Sequence, residues 1–333
     1  MKISKLFNES KILGKVFYFV FKTYHFFNLN IISQKEFQLL GNVPPKLYVP
    51  FHPNPESNLY GHIEVLKKYI KDRGDLFNVH IQHGVILGNL VQSIMKDSFA
   101  STIVTYSDKR KEIIKKATGK SVIAIGPYIK YAQNRLSKEK FAELKKEVGK
   151  TLLVFPAHSS VDRTQVNFDQ LSLIKKIKSI KKEHVINTVF INLFYADCTK
   201  EAIEFYENEG FKVCSAGFWL SENFLPNLRT IIELSDFTMS NRVGSHVGYC
   251  VALGKPHYIY KQEYSEDFIG KKGVDDLTQT IDNENEESID TWKIEQAFTE
   301  EKFIISKNQL TVVNEYWGNN IFYTPKELFD LIS

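Results

Sequence analysis

Short apolar runs alternate with longer stretches of mixed polarity along most of this 333-residue chain. The apolar runs predict strands over residues 46–49, 79–82, 102–105, 122–125, 152–155, 188–194, 211–213, 237–239 and 257–260. Several of these runs end in Gly, Pro, Ser or His, which are typical of the point where a strand gives way to a helix.

The stretches between these runs repeat apolar residues at helical spacing. They predict helices over residues 107–120, 137–148, 171–182, 228–234 and 246–253. Ser107 stands where an N-cap is expected, and Gly254 where a C-cap is expected. Alternation of strands and helices is typical of parallel sheets covered by helices on both faces, so the sequence predicts an α/β fold.

The length predicts two domains, because a single core rarely grows beyond roughly 250–300 residues. A polar helical segment near residue 140 is followed by a new strand, which divides the chain into an N-terminal domain over 1–145 and a C-terminal domain over 146–333. Residues 261–300 carry twelve acidic and four basic residues, which predict a solvated insertion or a mobile loop. The remaining tail regains helical character.

Composition narrows the class of protein. Hydrophobic residues make up 43% and charged residues 25%, as in ordinary globular proteins, and a net charge of +4 disfavours a dedicated nucleic-acid binder. Three cysteines without a Cys-x-x-Cys pair disfavour a disulfide framework or a zinc knuckle and predict a cytoplasmic protein. The longest apolar run near the N-terminus has six residues, too few for a membrane span or a secretory signal.

The first 30 residues combine five lysines with eight Phe and Tyr side chains. Two interpretations stay open. Residues 1–28 form either a basic and aromatic helix in contact with the inner face of a membrane, or a first helix packed on the body of the protein.

The most informative stretch covers residues 225–260. A buried strand is followed by a polar turn with one glycine, over 240–245, and then by a helix. Such an arrangement presents backbone N–H groups and the positive end of the helix dipole, which suits a phosphate or carboxylate group. An ordinary strand–helix turn would have the same sequence pattern.

Two histidines follow other predicted strands. His83 lies in Gln82-His83-Gly84, and His158 lies in Pro156-Ala157-His158-Ser159-Ser160. Residues just past the carboxyl ends of parallel strands line the ligand crevice, where a histidine suits acid–base work near neutral pH.

In their order along the chain, these motifs resemble the GT-B superfamily of glycosyltransferases, and within it the bacterial surface-polysaccharide enzymes and the CDP-glycerol glycerophosphotransferase-like group. The His-Gly turn, the turn with His158, and Ser235-Asp236 followed by Ser240-Asn241 and Ala252-Leu253-Gly254-Lys255-Pro256 carry the resemblance, over roughly residues 45–260. Pro156 and Ala157 stand where that group usually carries an Arg, and Asn241, Arg242 and His246 stand where its donor-site turn usually carries acidic and serine residues. These departures weaken the case for a polyol-phosphate donor and leave a nucleotide-activated sugar open.

The resemblance implies two Rossmann-like domains that face each other across a cleft. It also implies transfer of a sugar from a nucleotide-sugar substrate to a capsule, O-antigen or lipooligosaccharide glycan, or a lipid-linked glycan, without a metal or another cofactor. His83 and His158 are the implied catalytic residues. The implied donor-binding residues are Ser159, Ser160, Ser240, Asn241, Arg242, Gly244, Ser245 and His246; the acceptor-side residues are Gln82, Gly84 and His52.

Two other functions stay open. A nucleotide-sugar 2-epimerase has a similar strand–turn–helix and would use carboxylates, for which Asp162, Asp197 and Glu222 are the candidates. A non-catalytic subunit of the same fold would bind glycan or serve in assembly. The chain has no Gly-x-Gly-x-x-Gly, Gly-x-Ser-x-Gly or Asp-x-Asp motif, which disfavours dinucleotide, hydrolase-elbow and metal–diphosphate chemistry.

Overall fold

Two parallel β-sheets organise the protein. The computed structural model describes residues 16, 52, 54–71, 76–159, 164–268 and 281–332. The predicted strand over 46–49, Ser160, Asp162 and the N-terminal segment 1–28 (apart from Val16) lie outside the described residues.

The described strands and helices follow the predicted alternation. The strands are β1 (Val79–Ile81), β2 (Thr102–Thr105), β3 (Ser121–Ala124), β4 (Thr151–Phe155), β5 (Thr164–Phe168), β6 (Thr188–Asn192), β7 (Lys212–Cys214), β8 (Phe237–Ser240), β9 (His257–Ile259) and β10 (Tyr264–Phe268). The helices are α1 (His62–Tyr69), α2 (Ser93–Asp97), α3 (Asp108–Thr118), α4 (Lys138–Val148), α5 (Gln170–Glu183), α6 (Lys200–Asn208), α7 (Phe224–Leu234), α8 (Ser245–Ala252), α9 (Ile281–Phe298), α10 (Lys307–Trp317) and α11 (Pro325–Ile332). The α/β prediction is confirmed.

The two sheets differ in strand order. The first is β1-β2-β3, and the second is β7-β6-β4-β8-β9, with every pair parallel. In the second sheet the chain runs outward from β4 on one side and then returns to β8 on the other. Phe155 of β4 is in register with Ser240 of β8 at this reversal. In doubly wound sheets the ligand crevice opens at the carboxyl ends of the two strands where the order reverses.

Local capping fixes the helix starts beside these strands. The Ser107 side chain accepts a hydrogen bond from the Arg110 N–H, as predicted, and Ser137 does the same for the Lys140 N–H. Gly119 ends α3 and Gly318 ends α10, each with a positive φ that favours glycine.

A single core cluster joins elements from both halves of the chain. Tyr106, Tyr128, Leu225, Tyr249 and Trp317 are all buried within it. The Tyr106 and Tyr249 hydroxyls are 2.8 Å apart and hydrogen bond to each other, so the loop after β2 is tied to α8. A second cluster covers the other part of the large sheet, packed under α5.

The tail after α10 lies against the N-terminal half. The Lys130 ammonium donates to the Asn319 carbonyl at 2.5 Å, and the Tyr69 hydroxyl donates to the Tyr323 carbonyl at 2.8 Å. The Tyr131 hydroxyl accepts from the Tyr323 N–H at 3.3 Å. The chain therefore crosses back to its first half after completing the large sheet, and the domain boundary at residue 145 stays a prediction.

The described residues of the acidic stretch include β10 and α9, whereas its composition predicts a solvated insertion or a mobile loop. Within it, β10 pairs antiparallel with β5, and α9 packs into the core through Ile294 and Phe298, both 0% exposed. Apolar residues at 294, 297 and 298 follow helical spacing. The count of acidic and basic residues over the whole stretch does not reveal this spacing. Residues 269–280 lie outside the described residues.

No described helix is both long enough and apolar enough to cross a membrane.

Candidate functional site

A cavity of about 300 Å³ lies at the carboxyl ends of strands from both sheets. Its walls come from the segments that follow β1, β4, β6, β7 and β8, together with the first turns of α7 and α8. Of the residues predicted for the site, the structure brings His83, Gly84, His158, Gly244, Ser245 and His246 to this cavity. These six residues were predicted from the rule that ligand crevices form at the carboxyl ends of parallel strands, and they do line the cavity.

A buried carboxylate orients His83. Glu56, only 4% exposed, accepts a hydrogen bond from His83 Nδ1 at 2.6 Å through one oxygen and from His80 Nε2 at 2.6 Å through the other. The His83 backbone N–H also donates to Glu56, at 3.2 Å. Burial alone would raise the pKa of Glu56, but the hydrogen bonds from the two histidines outweigh it and hold that pKa well below its usual range.

The ionised Glu56 fixes the tautomer of His83. A carboxylate only accepts, so Nδ1 carries the proton and Nε2 is the nitrogen left for a substrate in the cavity. The His83 side chain is 29% exposed and lines the cavity. A carboxylate behind an imidazole is the arrangement that supports a general base, since it stabilises the imidazolium formed when the ring takes a proton.

The start of α8, which belongs to the half of the protein with the second sheet, lies next to the Glu56–His83 pair. The Ser245 hydroxyl accepts a hydrogen bond from the Val85 N–H at 3.2 Å, which connects α8 to the loop that follows His83. Gly84 passes close to the same hydroxyl: a Cβ added there would lie 3.7 Å from Ser245 Oγ. The Trp317 indole N–H donates to the Ser245 carbonyl at 3.2 Å and holds this turn from behind.

His246 is neutral in this setting. Its ring stacks on Phe155 with centroids 4.7 Å apart, and burial lowers its pKa to about 3. A neutral imidazole carries no charge to pair with a phosphate. An anion at this turn would therefore interact with the backbone N–H groups and the dipole at the start of α8.

His158 also lines the cavity, and its side chain is exposed. Its Nδ1 donates to the Ser159 carbonyl at 2.9 Å, and its ring contacts Phe194 at 4.7 Å between centroids. The Ser159 N–H donates to Asp197 at 3.2 Å, so this carboxylate holds the loop; burial raises the pKa of Asp197.

Three predicted donor-binding residues make their contacts away from the cavity. The Asn241 amide oxygen accepts from the Ala157 N–H at 2.6 Å and so joins the β4 and β8 loops. The Ser240 hydroxyl contacts His257 Nε2 at 3.0 Å, and the Arg242 guanidinium lies 4.5 Å from the centre of the Tyr264 ring. The structure places these side chains behind the turn, outside the cavity lining.

Two predicted acceptor-side residues also lie in the interior. Gln82 is 0% exposed, and its amide contacts the Thr105 hydroxyl and the Arg110 guanidinium. His52 is buried, donates from Nε2 to the Leu76 carbonyl at 2.8 Å and accepts the Asn54 N–H at Nδ1. Gln82 therefore connects the residue after β1 with β2 and α3, and His52 connects the segment before α1 with the segment before β1.

The structure adds cavity residues that the sequence analysis missed. Tyr60 and His62 line the cavity, and Glu56 lies behind His83 without lining it. All three come from the segment 54–62, for which no element was predicted. Pro55 followed by Glu56 is a helix-start pattern and could have indicated an element there. Nothing in the sequence pairs Glu56 with histidines 24 and 27 residues later.

A helix from the acidic stretch positions the loop after His83. Asp290 accepts the Gly88 N–H at 2.9 Å, the Lys109 ammonium at 2.9 Å and the Tyr316 hydroxyl at 2.7 Å. These hydrogen bonds outweigh burial and hold the pKa of Asp290 below its usual value. α9 thus holds the loop that follows His83 in place at Gly88.

We expect acid to destabilise the protein because of its buried histidines. Burial lowers the pKa of His52 and of His62 from 6.5 to about 3. Between these values the unfolded chain binds more protons than the native chain, so stability falls as pH falls through that window. Each histidine then costs roughly 2 kcal/mol between pH 7 and pH 5, at about 1.4 kcal/mol per pH unit. Urea unfolding at the two pH values measures the loss.

His62→Phe provides the matched control for this prediction. This variant lacks one of the two titrating rings, so its loss between pH 7 and pH 5 should be smaller than that of the wild type by roughly 2 kcal/mol. An equal loss in both proteins would contradict a lowered pKa of His62.

Comparisons with known proteins find similarity to solved structures. No family model matches the chain, and no curated protein matches it. A solved structure described as UDP-GlcNAc 2-epimerase from Neisseria meningitidis bound to UDP-GlcNAc is similar over 70% of this chain and 60% of that chain, with 12% sequence identity and a TM-score of 0.33. The similarity therefore spans less than two thirds of that enzyme.

Proposed function

We propose that this protein is a glycosyltransferase that moves a sugar from a nucleotide-sugar donor to a hydroxyl of an acceptor glycan. The observation that carries the proposal is the Glu56–His83 pair, which faces the start of α8 across one cavity. A base on one wall and an anion-stabilising helix start on the other are the two components that transfer to a hydroxyl requires.

In this mechanism, His83 Nε2 takes the proton of the acceptor hydroxyl while its oxygen bonds to the anomeric carbon of the donor sugar. The bond from that carbon to the nucleotide phosphate breaks, and the leaving phosphate takes the bonding electrons. The dipole at the start of α8 stabilises the negative charge on the leaving group. Glu56 stabilises the positive charge on His83.

The distribution of carboxylates disfavours an epimerase that uses them in the cleft. Among the described residues, the cavity lining contains no Asp or Glu side chain. Asp197 lies behind Ser159, and Glu222 is 46% exposed and pairs with Lys68 at 3.1 Å. Asp162 lies outside the described residues.

The proposal also includes the class of the acceptor. The sequence resemblance favours a surface or lipid-linked glycan, and the basic segment 1–28 would then hold the enzyme at the membrane where lipid-linked acceptors lie.

A thermal-shift screen of CMP, CDP, UDP and GDP tests the donor side. We expect one nucleotide to stabilise the protein by about 2.7 kcal/mol at one hundred times its dissociation constant. The matching nucleoside without phosphate, as a control, should give a smaller shift, because it cannot use the start of α8. No shift with any of the four nucleotides would overturn the proposal.

The matching nucleotide sugar then separates the activities. Incubated with protein and a panel of glycan acceptors, it should be consumed only when an acceptor is present. Conversion to its 2-epimer without acceptor would show an epimerase, and calorimetric binding without turnover on any acceptor would show a non-catalytic subunit.

A further inference from the structure

His62, the first residue of α1, has an unusual environment. It is 1% exposed and lines the cavity, yet neither of its ring nitrogens has a hydrogen-bond partner among the described residues. Its ring packs edge-on against Tyr128, with centroids 4.7 Å apart, and lies 5.7 Å from the Tyr60 ring. Buried polar groups are normally paired, so an unpaired imidazole at a cavity wall requires an explanation.

The chemistry of this imidazole selects the kind of group that can satisfy it. Burial lowers the pKa of His62 to about 3, so the ring is neutral and offers one N–H donor and one lone pair in either tautomer. Ionised carboxylate and fully ionised phosphate only accept, and ammonium only donates. A hydroxyl does both, so it can pair with whichever nitrogen faces it.

A strained turn covers this ring. Tyr60 has φ +58°, a left-handed conformation that costs a residue with a side chain free energy, and Gly61 follows with φ +70°. A Cβ at Gly61 would lie 2.7 Å from the Ser221 carbonyl oxygen, so the turn has no room there. The Tyr60 N–H donates to the Trp219 carbonyl at 2.5 Å, and its ring lies 6.3 Å from that of His83. Strain of this kind is concentrated at binding sites.

We propose that His62 is a specificity-determining residue that hydrogen bonds to a second hydroxyl of the acceptor sugar, next to the hydroxyl that His83 deprotonates. The Tyr60 ring, whose centroid lies 5.7 Å from that of His62 and 6.3 Å from that of His83, packs against the apolar face of the sugar. The inference rests on the proposed glycosyltransferase function and narrows it: the acceptor is a sugar with a free hydroxyl beside the reacting one.

Histidine side-chain NMR tests this directly, with the full chain labelled in its histidine rings and the His62 signals assigned by their loss in His62→Phe. The probes are methyl β-D-galactopyranoside, methyl β-D-glucopyranoside and methyl N-acetyl-β-D-glucosaminide, with inorganic phosphate as the control. We expect at least one glycoside to shift the His62 nitrogen signals and fix one tautomer, and phosphate to leave them unchanged.

The variants separate binding from folding. His62→Phe should bind that glycoside about 10-fold more weakly, the loss expected for one hydrogen bond, whereas His62→Gln should retain part of the affinity. His62→Phe should also unfold at the same temperature as the wild type or higher, because it removes an unpaired polar group. A residue with a purely structural role would show the reverse.

Three results would overturn the inference: no glycoside that shifts His62, a glycoside that shifts His83 but not His62, or unchanged affinity in His62→Phe and His62→Leu. Nucleotide binding is measured in the same samples. If nucleotides bind and the His62 signals do not move, the inference alone is wrong. If no nucleotide binds, the proposed function fails as well.

Discussion

His83→Ala is expected to lower the rate of sugar transfer by about 100- to 10,000-fold, the range for loss of a general base. The effect should be in the chemical step, because the donor site at the start of α8 stays intact. Release of nucleotide from saturating donor and acceptor measures the rate, and thermal shift with the nucleotide confirms that the donor still binds. Turnover within tenfold of the wild type would mean that His83 is not the base.

Glu56→Gln tests the carboxylate behind that base. The amide keeps the shape of the side chain but removes the charge that stabilises a protonated His83, so we expect a loss of about 100-fold or more. Glu56 also pairs with the buried His80, so the variant is compared with the wild type by thermal unfolding before its rate is interpreted.

His184→Ala is the matched control for His83→Ala. It also replaces a partly buried ring, but one packed against Phe303 with centroids 4.2 Å apart and outside the cavity lining. Its rate should stay within about twofold of the wild type. An equal loss in this variant would show that the effect of His83→Ala reflects general destabilisation.

The elements around this site follow from local pattern. The run 152–155 corresponds to β4 (Thr151–Phe155), and 237–239 to β8 (Phe237–Ser240). Because parallel strands end at a common edge, these boundaries were enough to bring His158 and the turn at 244–246 together.

Which side chains of that edge face the cavity could not be predicted. Asn241 lies in the polar turn and His246 lies at the start of the helix that follows it. The Asn241 amide oxygen nevertheless accepts the Ala157 N–H inside the fold, whereas His246 lines the cavity. That choice depends on the turn conformation and on a neighbouring strand 84 residues away. The same holds for β5 and β10, whose pairing joins distant parts of the chain, and for Glu56.

The second prediction with a large expected effect concerns Gly318, which lies where the chain returns to its first half. Gly318, at the end of α10, has φ +64°, and a Cβ there would lie 2.3 Å from the Tyr106 carbonyl oxygen. Gly318→Ala therefore adds a left-handed alanine, at about 1–2 kcal/mol, to a clash with backbone, at about 1–3 kcal/mol. We expect a total loss of about 2–5 kcal/mol, measured by urea unfolding.

Gly119→Ala isolates the steric part of this loss. Gly119 also ends a helix, has φ +68°, and a Cβ there would meet nothing within 4 Å. Both variants share the strain of a left-handed alanine and the same change in the unfolded chain, so the difference between them measures the contact with Tyr106. We expect Gly318→Ala to be less stable than Gly119→Ala by about 1–3 kcal/mol. Equal stabilities would show that α10 does not press against the loop after β2. The Tyr106–Tyr249 hydrogen bond would then be the contact that holds the cavity walls together at this point.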